Sequence, residues 1–117
     1  MKILFTGSRA WTDEDAAINV FNAYVQPGDH VVVGDCPTGL DKMIRDLCYD
    51  SETSYDVHHA DWKEHGRAAG PLRNQEMVNT GPDLCIGFPL ENSRGTKDCM
   101  TRARMAGVTV ITVDTSE

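Results

Sequence analysis

The chain has 117 residues, of which 40% are hydrophobic and 25% charged, and its net charge is −7. This length and composition are typical of one globular domain, which we place over residues 1–117. The acidic balance argues against nucleic acid as a partner, because nonspecific nucleic-acid binding depends on Lys and Arg that neutralise phosphates. No segment reaches the apolar length of a membrane span, and no basic-then-apolar leader precedes the first strand, so we expect a cytoplasmic protein without a membrane partner.

Short apolar segments alternate with helical patterns along the chain. Strands are predicted at residues 3–5, 30–33, 55–59, 84–88 and 108–113. Apolar residues three and four positions apart predict helices at residues 12–25, 40–49, 72–79 and 96–106. The alternation predicts an α/β fold, namely a Rossmann-like, doubly wound sheet of about five parallel strands in the order 3-2-1-4-5, with helices on both faces. The third strand is weaker, so we place it near the sheet edge.

Local signals predict the ends and inner faces of some helices. The first helix is expected to begin at Thr12, with Asp15 as its capping partner, and its core stripe includes Ile18 and Tyr24. Pro71 is expected at the first position of the third helix, where a missing amide hydrogen costs nothing. These assignments determine which helix faces are expected to cover the sheet.

The cysteines and histidines give no metal signature. The cysteines are Cys36, Cys48, Cys85 and Cys99. Without a C-x-x-C pair, they predict free thiols rather than a zinc site. His58, His59 and His65 also lack a recognised ligand spacing, so we expect no metal. No G-x-G-x-x-G follows the first strand, which argues against a dinucleotide, and no cofactor is expected.

Residues suited to ligand binding follow each of the first four predicted strands. They are Gly7, Ser8 and Arg9 after the first strand, Gly34, Gly39 and Asp41 after the second, Asp61 and Trp62 after the third, and Arg94, Gly95 and Thr96 after the fourth. Arg73 and Asn74 lie one turn into the third helix. Because the carboxyl ends of parallel strands meet at one edge of the sheet, we expect these residues to line one crevice.

The chemistry of these residues suits a phosphate-bearing ligand. Thr96 lies at a helix start, where backbone amides and the helix dipole favour an anion. The guanidinium groups of Arg9 and Arg73 are suited to phosphate. Asp41 is expected either to accept hydrogen bonds from ribose hydroxyls or to cap its helix. Trp62 is expected either to stack on a base or to fill the core.

The ordered set of motifs resembles a known superfamily. It comprises Gly7-Ser8-Arg9, Gly34-x4-Gly39-x-Asp41, Ala60-Asp61-Trp62, Gly66, Ala69-Gly70, Arg73-Asn74, Met77, Gly95-Thr96 and Asp98. Over roughly residues 2–113, the chain is similar to the small SLOG-type Rossmann proteins, which include the lonely-guy (LOG) phosphoribohydrolases and the Rossmann domain of DNA-processing protein A. The resemblance implies nucleotide binding, a homo-oligomer, and a bacterial or phage protein (in the host cytoplasm if phage-encoded).

The chain departs from the motif of the superfamily's enzymes. LOG enzymes carry P-G-G-x-G-T-x-x-E, whereas this chain keeps the Gly-Thr pair but has Glu-Asn-Ser at residues 91–93. Cys99 stands at the position of the catalytic glutamate, with Asp98 one residue earlier. One residue along a helix is a rotation of about 100°, so Asp98 does not directly replace that carboxylate. The catalytic residues remain open, with Asp41, Asp98 and Arg73 as candidates.

Three functions remain open from the sequence. The first is binding of a nucleotide or nucleotide-derived small molecule in the predicted crevice. The second is an N-glycosidase of the phosphoribohydrolase type, acting on nucleoside monophosphates with Asp41, Asp61 or Asp98 as its carboxylate. The third is association with single-stranded DNA, by analogy with DNA-processing protein A, which the acidic balance disfavours.

Overall fold

The computed structural model describes residues 1–114, so residues 115–117 of the predicted domain lie outside the described part. The strands are β1 (Lys2–Gly7), β2 (His30–Gly34), β3 (Ser54–His58), β4 (Leu84–Phe88) and β5 (Thr109–Thr112). They form one parallel sheet in the order β3-β2-β1-β4-β5. The predicted Rossmann-like topology is confirmed, and β3 lies at an edge as expected.

Helices connect the successive strands of this sheet. They are α1 (Glu14–Tyr24), α2 (Gly39–Asp50), α3 (Trp62–His65), α4 (Ala69–Asn79) and α5 (Arg94–Met105), with a 3-10 turn at Gly66–Ala68. Each connection between parallel neighbours must cross over the sheet, which is why a helix separates the strands. At the amino ends of the strands, opposite the carboxyl edge, short turns contain Gly28, Gly81 and Gly107.

The sheet separates two apolar cores. On β1, Ile3 and Phe5 face a core that includes Phe21 of α1 and Ile44 of α2. Leu4, between them, belongs to the core with α4 and α5. All three β1 residues are fully buried, which explains why the strand is apolar at successive positions. Burial of each such side chain contributes roughly 1.5–3 kcal/mol.

The predicted starts of the first and third helices are wrong. The N-cap of α1 is Asp13, whose carboxylate accepts from the amide three residues later at 3.0 Å, so Thr12 and Asp15 do not form the predicted cap. An Asp oxygen reaches an amide of the first turn directly, which is a preferred N-cap arrangement. Helix α4 begins at Ala69, which places Pro71 at its third residue. Proline is tolerated there because the first four helical amides have no partner within the helix.

The inner face of α1 is narrower than predicted. Ala17 and Phe21 are buried, whereas Ile18 is 37% exposed and Tyr24 is 40% exposed. Positions four apart share a helix face, so Ala17 and Phe21 define the buried stripe. Ile18 and Tyr24 lie on either side of it, and the prediction that they belong to the core is wrong.

The connection between β3 and α4 contains structure that the sequence did not indicate. The side chain of Asp61 accepts from the amide of Glu64 and begins the short helix α3. Gly66 then ends this helix. The four residues of α3 are too few to produce an apolar repeat, so no periodic pattern marks them.

The described part of the chain gives two further findings. All four cysteines are free thiols, and Cys48, Cys85 and Cys99 are buried. No helix within residues 1–114 has the length and apolar character needed to cross a membrane.

Candidate functional site

An open cleft of about 570 Å³ lies at the carboxyl ends of β1 and β4. Its walls come from the segment after β1, the loop after β4, the first turn of α5, and side chains of α2 and α4. Ligand pockets typically measure about 300–1,000 Å³, so the cleft has room for a small molecule. This is the edge at which open parallel sheets bind ligands. We call it the main cleft.

The main cleft gathers the buried polar side chains of the described chain. Within residues 1–114 these are Thr6, Ser8, Asp41, Asn74, Ser93 and Thr96, and each of them lines this cleft. Burying polar groups costs free energy unless they form hydrogen bonds. Their concentration around one opening therefore distinguishes the main cleft from ordinary packing.

The turn after β1 is held from several sides. The amide of Ser8 donates to the carbonyl of Phe88 at 3.1 Å, and the carbonyl of Ser8 accepts from the amide of Leu40 at 3.1 Å. A Cβ on Gly7 would collide with the Leu40 side chain, so glycine permits this close approach of β1 and α2. Arg9 follows at the mouth of the main cleft and is exposed.

Two predicted glycines shape the site without lining it. Gly39 has φ +73°, and a Cβ there would meet backbone atoms of the segment after β1. A Cβ on Gly34 would lie 2.7 Å from both the Arg73 guanidinium and the Asp41 carboxylate. These positions let α2 approach β1 and let Arg73 approach Asp41.

Arg73 is held in place by one neighbour in the loop after β2 and one on its own helix. Its Nη1 donates to Asp35 at 2.9 Å, and its Nε donates to the Asn74 side-chain oxygen at 3.2 Å. The other Asp35 oxygen accepts from the amide of Ala60 at 3.3 Å and lies 3.2 Å from His59 Nδ1. Asp35 thus links Arg73 to the loops after β2 and β3. The sequence prediction missed Asp35, although its position directly after a buried strand was an available signal.

Asp41 is a buried carboxyl group in the wall of the main cleft. It is 6% exposed, and its Oδ2 accepts from the amide of Cys36 at 3.4 Å. Cys36 precedes α2, so this contact satisfies a loop amide rather than one of the helix. Burial raises the pKa of Asp41 from 3.8 to about 6, while the charges of Arg73 and Arg45 oppose this rise. Such a carboxyl can gain and lose a proton close to neutral pH.

Asn74 joins the main cleft to α5, whereas Asp98 lies outside the cleft. The Asn74 side-chain amide donates to the carbonyl of Gly95 at 3.0 Å and to Asp98 at 3.1 Å. The same Asp98 oxygen accepts from Arg102 Nε at 2.8 Å. Asp98 therefore faces the groove between α4 and α5, where it supports Asn74 and does not line the main cleft.

Helix α5 begins at Arg94, two residues before the predicted start. The Ser93 hydroxyl accepts from the amide of Leu90 at 2.8 Å, which closes the loop after β4. Gly95 and Thr96 therefore lie within the first helical turn, and both line the main cleft. Arg94 is exposed at the rim. The turn presents backbone amides and the positive end of the helix dipole.

Cys99, which the sequence resemblance predicts at the position of the LOG glutamate, is unsuited to acid–base chemistry. It is fully buried, and it does not line the main cleft. Burial raises the pKa of its thiol to about 11. Within residues 1–114, no three His, Cys, Asp or Glu side chains are grouped so that they could hold a metal ion.

A second cleft of about 400 Å³ adjoins the first. It is lined by Arg9, Asp35, Cys36, Pro37, Trp62 and Arg73. Trp62 is 53% exposed, so it does not fill the core. Asp61 lines neither cleft and instead caps α3. We call this space the side cleft.

The fold and the clefts together define a Rossmann-like α/β protein with two adjoining clefts at the carboxyl edge of its sheet. The chain is 37% identical to the gene 61 protein of Mycobacterium phage D29 over 117 aligned positions, which cover 94% of each chain. It therefore belongs to the family of this phage protein. No protein-family model matches the chain.

Proposed function

We propose that this protein is a SLOG-type Rossmann-like protein that binds a nucleotide or a nucleotide-derived small molecule in the main cleft. The observation that carries the proposal is the convergence of the buried polar side chains of residues 1–114 on one opening. Arg9 and Arg73 line the same opening. Hydroxyl and amide groups beside guanidinium groups complement a ligand that carries both sugar hydroxyls and phosphate.

The phosphate is held by Arg9, Arg73 and the first turn of α5. Asp35 and Asn74 already fix the orientation of the Arg73 guanidinium, so little conformational entropy is lost when it binds an anion. The amides around Thr96 add donors that have no partner within the helix. This arrangement favours a charged group in the main cleft over a neutral one.

The sugar is held on the β2 side of the main cleft. Asp41 offers a carboxyl that can accept from ribose hydroxyls when ionised and donate when protonated. Ser8 adds a hydroxyl on the β1 side. Discrimination by such buried polar groups is strong, because a ligand that lacks the matching hydroxyl leaves them unpaired.

Isothermal titration of the folded protein with nucleotides and inorganic phosphate tests the proposal. The informative variant is Arg9→Ala, because Arg9 is exposed and its loss leaves the core intact. We expect it to weaken nucleotide binding by about tenfold or more, as for loss of a hydrogen bond between charged groups. Arg67→Ala is the matched control, since Arg67 is exposed and lines neither cleft. Absence of binding to any of these compounds would contradict the proposal.

A second candidate function is cleavage of the bond between ribose and base. The specific observation in its favour is Asp41, a buried carboxyl in the cleft wall with a pKa of about 6. In this reaction water adds to the anomeric carbon, and the base leaves with a proton. The ionised carboxylate would stabilise the oxocarbenium-like transition state, with Arg73 positioned beside it.

Release of free base from nucleoside monophosphates tests this second function. We expect Asp41→Asn to abolish release, whereas Asp98→Asn should retain it, since Asp98 lies outside the main cleft. Binding of a nucleotide without release of its base would contradict this second function and leave the first one standing.

Association with single-stranded DNA and homo-oligomerisation remain expectations of the SLOG resemblance.

A further inference from the structure

The main cleft and the side cleft meet at two guanidinium groups. Arg9, Arg73 and Cys36 line both openings. The start of α5 contributes only to the main cleft, and Trp62 contributes only to the side cleft. A ligand that occupies both spaces must therefore pass the two arginines.

The side cleft offers a flat apolar surface for such a ligand. The Trp62 indole is half exposed, and Pro37 lines the same space. Gly70 lies at the edge of the indole, where an added Cβ would be 3.2 Å from the ring. Asp35 accepts from the amide of Ala60 and so ties the loop after β2 to the segment that leads into Trp62. An exposed indole in a cleft whose loops are connected by a hydrogen bond is suited to stacking on a nucleobase.

Arg73 keeps donors available at the junction. A guanidinium has five N–H donors, and the hydrogen bonds to Asp35 and Asn74 use two of them. Arg9 lies beside it, and within residues 1–114 no hydrogen bond or ion pair engages the Arg9 side chain. Two cationic groups at this point complement an anion in the middle of the ligand rather than only at its end.

We propose that the two clefts form one extended site for a nucleoside diphosphate or a molecule built on one. The base stacks on Trp62 in the side cleft, its ribose lies beside Asp41 where the two clefts meet, and one phosphate lies between Arg9 and Arg73. The second phosphate lies in the main cleft at the first turn of α5, near Thr96. This inference rests on the proposed function and specifies the number and placement of the charged groups.

The test compares the mono- and diphosphates of adenosine, guanosine, cytidine and uridine with inorganic pyrophosphate. Trp62→Ala removes the stacking surface, Trp62→Phe keeps an aromatic ring there, and Tyr49→Ala is a control at an exposed aromatic residue outside both clefts. Affinities come from isothermal titration. Tryptophan fluorescence of the wild type adds a direct readout, because the chain has two tryptophans and Trp11 is buried.

We expect at least one nucleoside diphosphate to bind about tenfold or more tightly than its monophosphate. Trp62→Ala should weaken binding of that diphosphate by about tenfold and leave the affinity for pyrophosphate unchanged. The affinities of Trp62→Phe and Tyr49→Ala for the diphosphate should stay near that of the wild type. The nucleotide should quench tryptophan fluorescence, and pyrophosphate should not.

Two results would overturn the extended site while leaving the proposed function intact. One is equal affinity for mono- and diphosphates, and the other is nucleotide binding that Trp62→Ala does not change. Failure of the folded wild type to bind any nucleotide or pyrophosphate would overturn the proposed function itself. The three results are distinguishable within one set of titrations.

Discussion

Asp41 combines burial with a place in a cleft wall, which makes its protonation state important for both stability and chemistry. Its carboxyl is almost fully buried and accepts one long hydrogen bond, from the amide of Cys36. Arg73, the nearest strong cation, is already paired with Asp35. Desolvation therefore outweighs attraction, and the pKa of Asp41 rises to about 6.

The raised pKa predicts that Asp41 destabilises the fold as pH increases. The folded protein holds this proton more tightly than the unfolded chain does, so the bound proton stabilises the fold. This stabilisation is complete below about pH 3.8 and is lost as pH rises through about 6. The Asn side chain of Asp41→Asn stays neutral at every pH. The free energy of unfolding of this variant minus that of the wild type should therefore increase by roughly 2–3 kcal/mol between pH 4 and pH 8.

Urea unfolding of both proteins at pH 4 and pH 8 measures this difference. Asp50→Asn, at an exposed position at the end of the same helix, is the control. A difference between Asp41→Asn and the wild type that does not change with pH would show that the carboxyl is not desolvated as the structure indicates.

At the residue scale, the sequence predicted which side chains lie close together. It did not predict the hydrogen bonds that each of them makes. Arg9, Asp41 and Thr96 line one cleft, as their positions after parallel strands implied, and Arg73 of α4 lines it as well. Their hydrogen bonds could not be predicted in the same way, because each depends on distances between elements far apart in the chain. Asp35 is the clearest example, since its partner Arg73 lies 38 positions away.

The start of α2 depends on a backbone approach that only glycine permits. Gly39 begins α2 with φ +73°, and a Cβ there would collide with backbone atoms of the segment after β1. Gly28 has φ +90°, and a Cβ there would have no atom within 4 Å. The two positions share the left-handed backbone and differ in their surroundings.

This contrast predicts different costs for the same substitution. Gly28→Ala adds only left-handed strain, about 1 kcal/mol, whereas Gly39→Ala should lower the free energy of unfolding by roughly 2 kcal/mol or more. The extra cost arises because rigid backbone, rather than a flexible side chain, occupies the space. Chemical denaturation of the two variants measures it, and equal losses would contradict the close packing of α2 on β1.

At the element scale, the order and type of the long elements were predictable, whereas several boundaries were not. Alternating apolar strands and amphipathic helices specify crossovers, and crossovers specify a parallel sheet. Boundaries depend on local competition between caps, as Asp13 shows at α1. The short helix α3 has no repeat to detect, although its Trp62 contributes to a cleft.

Across the whole molecule, the sheet is most strongly built at its centre. β1 pairs with both β2 and β4, and Ile3, Leu4 and Phe5 are fully buried. The edge strand β5 has one neighbour, and none of its four residues is buried. Stability is therefore expected to decrease from β1 toward the edge.

Native-state hydrogen exchange tests this gradient. The amide of Val113 donates to the carbonyl of Gly87 at 2.8 Å next to β5, so its exchange reports on opening of that edge. We expect its opening free energy to be at least about 2 kcal/mol below that of hydrogen-bonded β1 amides, which should match global unfolding. Equal values would mean that the sheet opens only as one unit.

Both clefts lie at the carboxyl edge of the sheet, whereas the opposite edge carries short turns. This asymmetry has a practical consequence. Gly81 and Gly107 lie in turns that precede β4 and β5, and an added Cβ at either would have no neighbour within 4 Å. Attachment of the molecule to a sensor surface through that rim would leave both openings facing the flowing solution. Immobilisation through the loops after β2 or β4 would instead obstruct them.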